Sequence, residues 1–370
     1  MTEFMRIALV HDYLVQYGGA ERVLECFTEL FPYAPIYTIV YSQELMHGVF
    51  ADKNIKTSFI QKFPFAKERH RIFPQFMPAA IEQFDFRDYD IVLSDSSSYA
   101  KGIITGPETL HICYMHTPMR YAWDDCQKYT SDFNFPTFIK KLIPFIMNYI
   151  RIWDRISADR VDLLIANSNF VAKRIKKYYK RESIVIHPPV NVDNFYISSE
   201  RGDYFLMVGR LLAYKRHDIA IQAFNRLGLK LKIIGRGPEM KKLKKLAGPT
   251  IEFLGRVPDE KISEYYAKCR AFIFPQEEDF GIVAIEAMAS GRPIIAYRAG
   301  DIVENMGEGK VGIFFDKQTP EDIVAAVEKF KETDYDANYI REKAKKFDRN
   351  IFKARIKDYI ETELVEFKKA

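Results

Sequence analysis

From Arg6 to the final residues, short apolar runs of strand type alternate with stretches of helical periodicity, and nothing else in this chain restricts its fold as strongly. A strand, a crossover helix and a second strand make a parallel sheet with helices on its faces, so the alternation predicts α/β architecture. It begins with a strand at Ile7 to Val10, a loop from His11 to Gly19, and a helix from Ala20 to Leu30 whose Val23, Leu24 and Phe27 share one face. Further strands are expected at Ile36 to Val40, Ile91 to Leu93, His111 to Met115, Leu163 to Ala166 and Ile184 to Ile186.

The pattern then stops and restarts. Adjacent Pro188 and Pro189 resist helix and central strand, and Ser198 to Asp203 has nothing to bury, so the stretch from Asn191 to Asp203 reads as a linker. Beyond it a second series of strands is expected at Phe205 to Val208, Lys232 to Ile234, Phe253 to Leu254, Phe272 to Phe274, Ile294 to Ala296 and Gly312 to Phe315. That makes a second doubly wound sheet. A closing helix from Asn350 to Phe367 carries Phe352, Ile356, Tyr359, Ile360 and Phe367 on one stripe and must dock on something.

Composition excludes several classes. A formal charge of +5 among 370 residues is a mild bias, not the dense basic stripe of a nucleic-acid binder, and suits an anionic small molecule or membrane surface. The four cysteines, Cys26, Cys113, Cys126 and Cys269, have no CxxC spacing, which argues against a zinc site or a disulfide framework. With no signal-peptide pattern and no apolar run long enough to span a bilayer, the expected setting is the cytoplasm, with at most peripheral membrane contact.

Several residue groups carry candidate chemistry. Glu278 and Glu286 stand a little over two helical turns apart, the first in a strand-end loop after Pro275 and the second inside the helix that begins near Gly281. In a doubly wound sheet such a loop borders the ligand crevice, where one acid can hold sugar hydroxyls and the other a ribose. Gly281 allows close approach to the backbone. Taken alone, two glutamates near a helix start are more often solvated acids. Arg210 and Lys215 follow the first strand of the second series, where fixed cations would stabilise a departing diphosphate; alone, they equally suit a bare surface. Gly18 and Gly19 sit between the first strand and first helix, where two glycines permit close backbone approach to phosphates or sugar. Gly235 likewise ends a strand within a Gly-Arg-Gly turn, a weak signal by itself. His116 at a strand end reads equally as a satisfied buried histidine. Asp88-Tyr-Asp90 is dismissed as a metal pair, because the acids precede a strand and belong on a surface turn.

Context gives these groups a common meaning. The run Glu278-Asp-Phe-Gly-Ile-Val-Ala-Ile-Glu286-Ala-Met-Ala-Ser-Gly291-Arg-Pro293 closely resembles the donor-site signature of family 4 retaining glycosyltransferases. Ser96-Ser97 with Ala100-Lys101-Gly102, and the segment from Tyr114 through His116, Pro118 and Arg120 to Trp123-Asp124, resemble the mannosyltransferase-like branch of that family. The resemblance covers essentially the whole chain. It implies the GT-B fold, two Rossmann-like domains facing across a deep cleft, with residues 1–190 binding the acceptor and 191–349 the donor. The closing helix 350–370 would then be free to pack back on the first domain.

Carried onto matching positions, the resemblance gives Glu278 the hydroxyls of the transferred sugar and Glu286 the donor ribose. Asp279, Phe280, Gly281, Ile282 and Val283 line the donor site, and Arg210 and Lys215 take the pyrophosphate. His116 lies beside the sugar, and Gly235 and Val257 border the nucleotide. It further implies a metal-independent hexosyltransferase of cell-surface polysaccharide assembly that needs no cofactor. GDP-mannose is the implied donor, a glycan or polyprenyl-linked glycan the acceptor, and other nucleotide sugars the alternative. One departure stands out: relatives place two glycines where this chain has Ala299-Gly300-Asp301, and an acid there would repel a diphosphate unless it points away.

Two aromatic-basic stretches, 59–73 and 133–153, have the composition of a membrane-interface segment and equally of helices packed on their own sheet. Two rival classes are a nicotinamide oxidoreductase, which lacks the third glycine and the acidic ribose clamp here, and a sugar-nucleotide sensor without turnover.

Overall fold

The computed structural model describes residues 5–124, 137–307, 309–331 and 333–369, without the side chains of 137–142 and Asp259. Cys126, residues 133–136 and the side chains of Phe138, Lys140 and Lys141 therefore lie outside the described residues. Two compact units form, Met1–Pro188 together with Phe352–Ala370, and Pro189–Ile351.

The first unit holds β1 (Ile7–His11), β2 (Ile36–Thr38), β3 (Ile55–Thr57), β4 (Ile91–Ser96), β5 (Leu110–Met115), β6 (Leu163–Ala166) and β7 (Ile184–Val185). They form one parallel sheet in the order β3-β2-β1-β4-β5-β6-β7. Strands buried on both faces should be apolar almost throughout, and Ile-Ala-Leu-Val-His of β1 is. Its period of two splits the core. Ile7 and Leu9 join Val23, Leu24 and Phe27 of the helix Gly19–Leu30, whereas Ala8 and Val10 join Met77, Ile81 and Trp153 on the other face.

The helix Arg349–Phe367 returns the chain to this unit. Phe352, Ile356 and Ile360 are buried, and Phe352 stacks on Phe27 with ring centroids 5.9 Å apart. Each such side chain contributes about 1.5–3 kcal/mol of apolar burial. Strand β3 was not among the expected elements; Ile-Lys-Thr at a sheet edge has too short an apolar signature to stand out.

The second unit contains β8 (Tyr204–Val208), β9 (Lys230–Ile234), β10 (Ile251–Gly255), β11 (Phe272–Phe274), β12 (Ile294–Tyr297) and β13 (Gly312–Phe315), ordered β10-β9-β8-β11-β12-β13 and parallel throughout. Leu206, Val208, Phe272 and Phe274 face the helix Ile282–Ala289, while Phe205, Met207 and Ile273 face the helix His217–Leu227. The stretch expected to be a linker is partly core: Val192 and Phe195 are buried here, and Val190 just before it bridges to Asp348, because apolar residues lie between its polar ones.

Candidate active site

In both units the strand order reverses direction between the first strand and the fourth, and loops leaving the carboxyl ends of those two strands diverge to leave a crevice. In the second unit the strands are β8 and β11. The loop after β8 carries Arg210 and the single helical turn Ala213–Lys215, and the loop after β11 carries Pro275 to Gly281. Lys215 Nζ lies 2.6 Å from Glu278 Oε1, the two side chains being 13% and 17% exposed. Burial pulls the Lys215 pKa down, but the charge of Glu278, then that of Tyr214, and the hydrogen bond with Glu278 outweigh it, so the net shift is upward. Arg210 is exposed, and its positive charge also reaches Lys215. Two cations and a carboxylate thus meet at the crevice, a set that offers charge to phosphate oxygens and an acceptor to sugar hydroxyls.

The surrounding backbone is built for close approach. Gly235 ends β9 with φ +144°, and a Cβ there would meet the Gly209 carbonyl oxygen at 1.8 Å. Gly281 caps the helix Ile282–Ala289 with φ +75°, and a Cβ would fall 2.8 Å from the Phe274 ring. Only glycine fits either position. Glu286 sits deeper, inside the helix and buried, with Oε2 accepting from the Tyr266 hydroxyl at 2.8 Å. Phe280 packs edge-on against Phe347, and Val257, Ile282 and Val283 line the same core in half-buried positions.

Asp301 is fully buried rather than presented at the loop surface. Its carboxylate accepts from the Asn305 amide, while its backbone N–H donates to the Glu278 carbonyl oxygen at 3.2 Å. Burial, then the charge of Glu304, push its pKa up to about 8, against the opposing pull of Lys346 and Asn305. At neutral pH the carboxyl is mostly uncharged, which removes the repulsion expected of an acid in this loop.

In the first unit the crevice lies at the ends of β1 and β4. Gly18 and Gly19 open the helix Gly19–Leu30, and Gly18 is extended at φ −156°. Parallel register pairs His11 with Asp95, and His116 follows β5 with its N–H donating to the Ser96 carbonyl at 2.9 Å. His11 Nδ1 lies 2.9 Å from Asp95 Oδ2, His116 Nε2 bonds Asp95 Oδ1, and Glu21 Oε1 stands 3.6 Å from His11 Nε2. Neither His11 nor Asp95 was singled out in the sequence. Each lies at the carboxyl end of an apolar strand, and only their register, set by long-range pairing, shows that they touch.

Other groups fall elsewhere. Asp90 accepts from the Arg6 backbone at 2.8 Å and from its guanidinium, at the amino end of the sheet away from the crevice. Phe63, Phe73, Ile143, Ile146 and Trp153 of the aromatic-basic stretches pack inward, whereas Phe65, Phe145, Tyr149 and Ile152 of the same stretches, and Ile156 beyond them, are exposed. Among the described residues, no helix is long and apolar enough to cross a membrane, and no group of three or more His, Cys, Asp and Glu side chains is arranged to hold a metal ion.

Comparison with known proteins gives two family matches, Glycosyltransferase Family 4 over residues 17–194 and Glycosyl transferases group 1 over 191–347. An uncharacterized glycosyltransferase of Methanocaldococcus jannaschii is 32% identical over 169 residues, 44% of this chain and 47% of that one. A sulfoquinovosyl transferase of Arabidopsis thaliana is 36% identical over 32% of this chain and 24% of its own length. A D-inositol 3-phosphate glycosyltransferase of Geodermatophilus obscurus is 26% identical over 45% and 44%. The chain thus spans about half or less of the length of these curated relatives. Among solved structures, Anabaena HepE in complex with UDP superposes with a TM-score of 0.70 at 18% identity, over 97% of this chain and 100% of that one. Sucrose-phosphate synthase from Thermosynechococcus elongatus gives 0.72 at 14%, with the same coverage. These likenesses show the fold, which is GT-B.

Proposed function

Because the chain consists of a glycosyltransferase family 4 region followed by a glycosyltransferases group 1 region, and so is a glycosyltransferase of the family 4 type, we propose that it moves a hexose from a nucleotide diphosphate sugar to a glycan or lipid-linked glycan acceptor with retention at the anomeric carbon. The observation that carries this reading is the Lys215–Glu278 pair at the switch point of the second sheet, with Arg210 beside it.

Arg210 and Lys215 hold the diphosphate, and their charge counts most as the bond to the sugar breaks and negative charge grows on the leaving oxygen. Glu278 orients the sugar hydroxyls, Glu286 the ribose, and His116 adds a hydrogen bond to the sugar. The anomeric C–O bond to phosphate breaks as the acceptor oxygen bonds to the same carbon from the same face. The departing phosphate oxygen takes the acceptor's proton. This needs neither a protein nucleophile beneath the sugar nor a metal ion.

GDP-mannose is the donor implied by the mannosyltransferase-like segments. UDP-sugars are the second reading, supported by UDP in the HepE complex. A thermal-shift screen with GDP-, UDP-, ADP- and dTDP-sugars decides between them. Release of nucleoside diphosphate only when acceptor is present tests transfer itself; release unaffected by Glu278→Gln would defeat the assignment.

The acceptor reading extends to a lipid surface. Phe145, Tyr149, Ile152 and Ile156 form one exposed face of the helix Thr137–Asp159, and exposed Phe65 and Ile72 stand among exposed Lys62, Lys67, Arg69 and Arg71. Such a face suits an anionic bilayer. Flotation with anionic vesicles, lost on Phe145→Ser with Ile152→Ser, tests it; equal flotation with zwitterionic vesicles would count against the basic residues.

A further inference from the structure

The buried carboxylate of Asp95 has each oxygen taken by a different imidazole, His11 on one side and His116 on the other. Burial alone would raise its pKa, but the charge of His116, the hydrogen bonds from His11 and His116, and the charge of His11 together hold it below the usual carboxylate range. An ionised carboxylate only accepts. Both imidazole nitrogens facing it must therefore carry hydrogen, which makes His11 Nδ1 and His116 Nε2 the donors.

What pins Asp95 is on the neighbouring strand. His11 is 3% exposed and its pKa is raised: burial pulls down, but Asp95 and then Glu21 overcome it and bring the value to about 10. It is thus an imidazolium at neutral pH, held between two carboxylates, with no freedom to exchange its partner. His116 is fixed in its main chain as well, its N–H bonded to the Ser96 carbonyl and its carbonyl accepting from Asn167 Nδ2 at 2.9 Å. Its ring stands edge-on to Tyr114, 5.3 Å between centroids. Among the described residues nothing bonds its Nδ1.

We propose that His11 and Asp95 are positioning residues that lock the His116 ring with Nε2–H donating to Asp95, so that Nδ1 is the nitrogen left to meet a hydroxyl of the sugar substrate. The role of the hydroxyl rests on the transferase reading above; the lock itself does not. A tautomer fixed by a buried carboxylate orients a ring without the carboxylate ever touching the substrate.

The test begins with the unaltered full-length chain, labelled with nitrogen-15 in its histidines. The two nitrogen shifts of each ring separate a protonated from an unprotonated nitrogen, and the expected result at neutral pH is a protonated Nε2 at His116. His11 should show both nitrogens protonated. A bare Nε2 at His116 overturns the proposal, whatever the activity.

Asp95→Asn is nearly isosteric but offers an amide N–H, so it should switch His116 to the Nδ1–H form. It should lower kcat by about 10²-fold, the scale of losing one oriented hydrogen bond in a reacting complex, with little change in KM. His11→Gln should give a mixture of tautomers and an intermediate kcat. Tautomers unchanged in both variants would overturn the lock. A switched tautomer with unchanged turnover would overturn the link to the sugar. Failure of the unaltered chain to release nucleoside diphosphate from any donor would instead sink the transferase reading and leave the nitrogen shifts to decide the lock.

Discussion

The two sheets place their first and fourth strands side by side in the same way, yet the charged groups at those strand ends differ in kind. In the first unit, His11, Asp95 and Glu21 are buried, with His11 hydrogen-bonded to Asp95 and paired in charge with Glu21. In the second, Lys215 and Glu278 keep some solvent exposure and form a simple ion pair. A buried network has had its hydration replaced by internal bonds, so it resists exchange and serves to hold something still. A pair that keeps an opening to solvent can trade its internal partner for a ligand at lower cost. Topology decides where a site forms, and burial decides whether its charges position or bind.

That contrast is open to a direct break. Asp95→Ala leaves the buried His11 charge with Glu21 alone, 3.6 Å away, and should cost the first unit about 3–5 kcal/mol. Glu278→Ala leaves the Lys215 charge unpaired but with an opening to solvent, and should cost the second unit less than this. Trp123 and Trp153 are the only tryptophans and both lie in the first unit, so urea unfolding followed by their fluorescence reads the first effect alone. Equal losses in the two variants would erase the distinction between a lock and an exchangeable pair.

Function should show the reverse ranking in the second unit, where stability moves less. Lys215→Ala is expected to lower kcat by about 10²–10³-fold, or about 2.7–4 kcal/mol, while its melting temperature stays close to that of the unaltered chain. Donor-dependent release of nucleoside diphosphate measures the first and thermal unfolding the second. A large fall in melting temperature with intact kcat would make Lys215 a structural residue.

Much of this was readable from residues alone, for a physical reason. Parallel strands are buried on both faces, so Phe205 to Val208 and Phe272 to Phe274 stand out as apolar runs, and Lys215 and Glu278 follow such runs within a few residues. Strand β3 did not stand out because a short edge strand needs little apolar surface. His11 and Asp95 were invisible as a pair because their contact depends on the register of β1 against β4, which no local pattern encodes. The Tyr266 partner of Glu286 was hidden for the same reason. Asp301 was legible as a departure from the family pattern, but its burial against Asn305 was not, since an acid carries no local signal of being inside.

The two units also respond to pH in different windows. Asp301 has its folded pKa raised to about 8, so the unfolded chain releases this proton first as pH rises. Stability of the second unit should fall from the ordinary carboxyl range up to about pH 8, with a slope of at most about 1.4 kcal/mol per pH unit, and be flat in this respect beyond it. Asp301→Asn should abolish that slope. His11, raised to about 10, contributes stability to the first unit that is complete below the ordinary histidine range and is lost as pH climbs through about 10. Urea midpoints from pH 5 to 10, read by circular dichroism for Asp301→Asn and by tryptophan fluorescence for His11→Gln, separate the windows. A single shared window would mean that one of the two groups titrates as it does in the unfolded chain.

The smallest expected effect tests whether strand direction, rather than charge itself, marks a site. Arg6 and Asp90 also join the first and fourth strands of a sheet, with Arg6 Nη2 3.1 Å from Asp90 Oδ1, but they precede β1 and β4 instead of following them. At that end the loops do not diverge from a switch point, and Arg6 is mostly exposed, so hydration competes with the pair at little disadvantage. Arg6→Ala should change the stability of the first unit by less than about 1 kcal/mol and leave kcat and KM alone. A kcat loss approaching that of Lys215→Ala would show that charges at the amino ends of the strands take part in the reaction, and the division between the two ends of the sheet would fail.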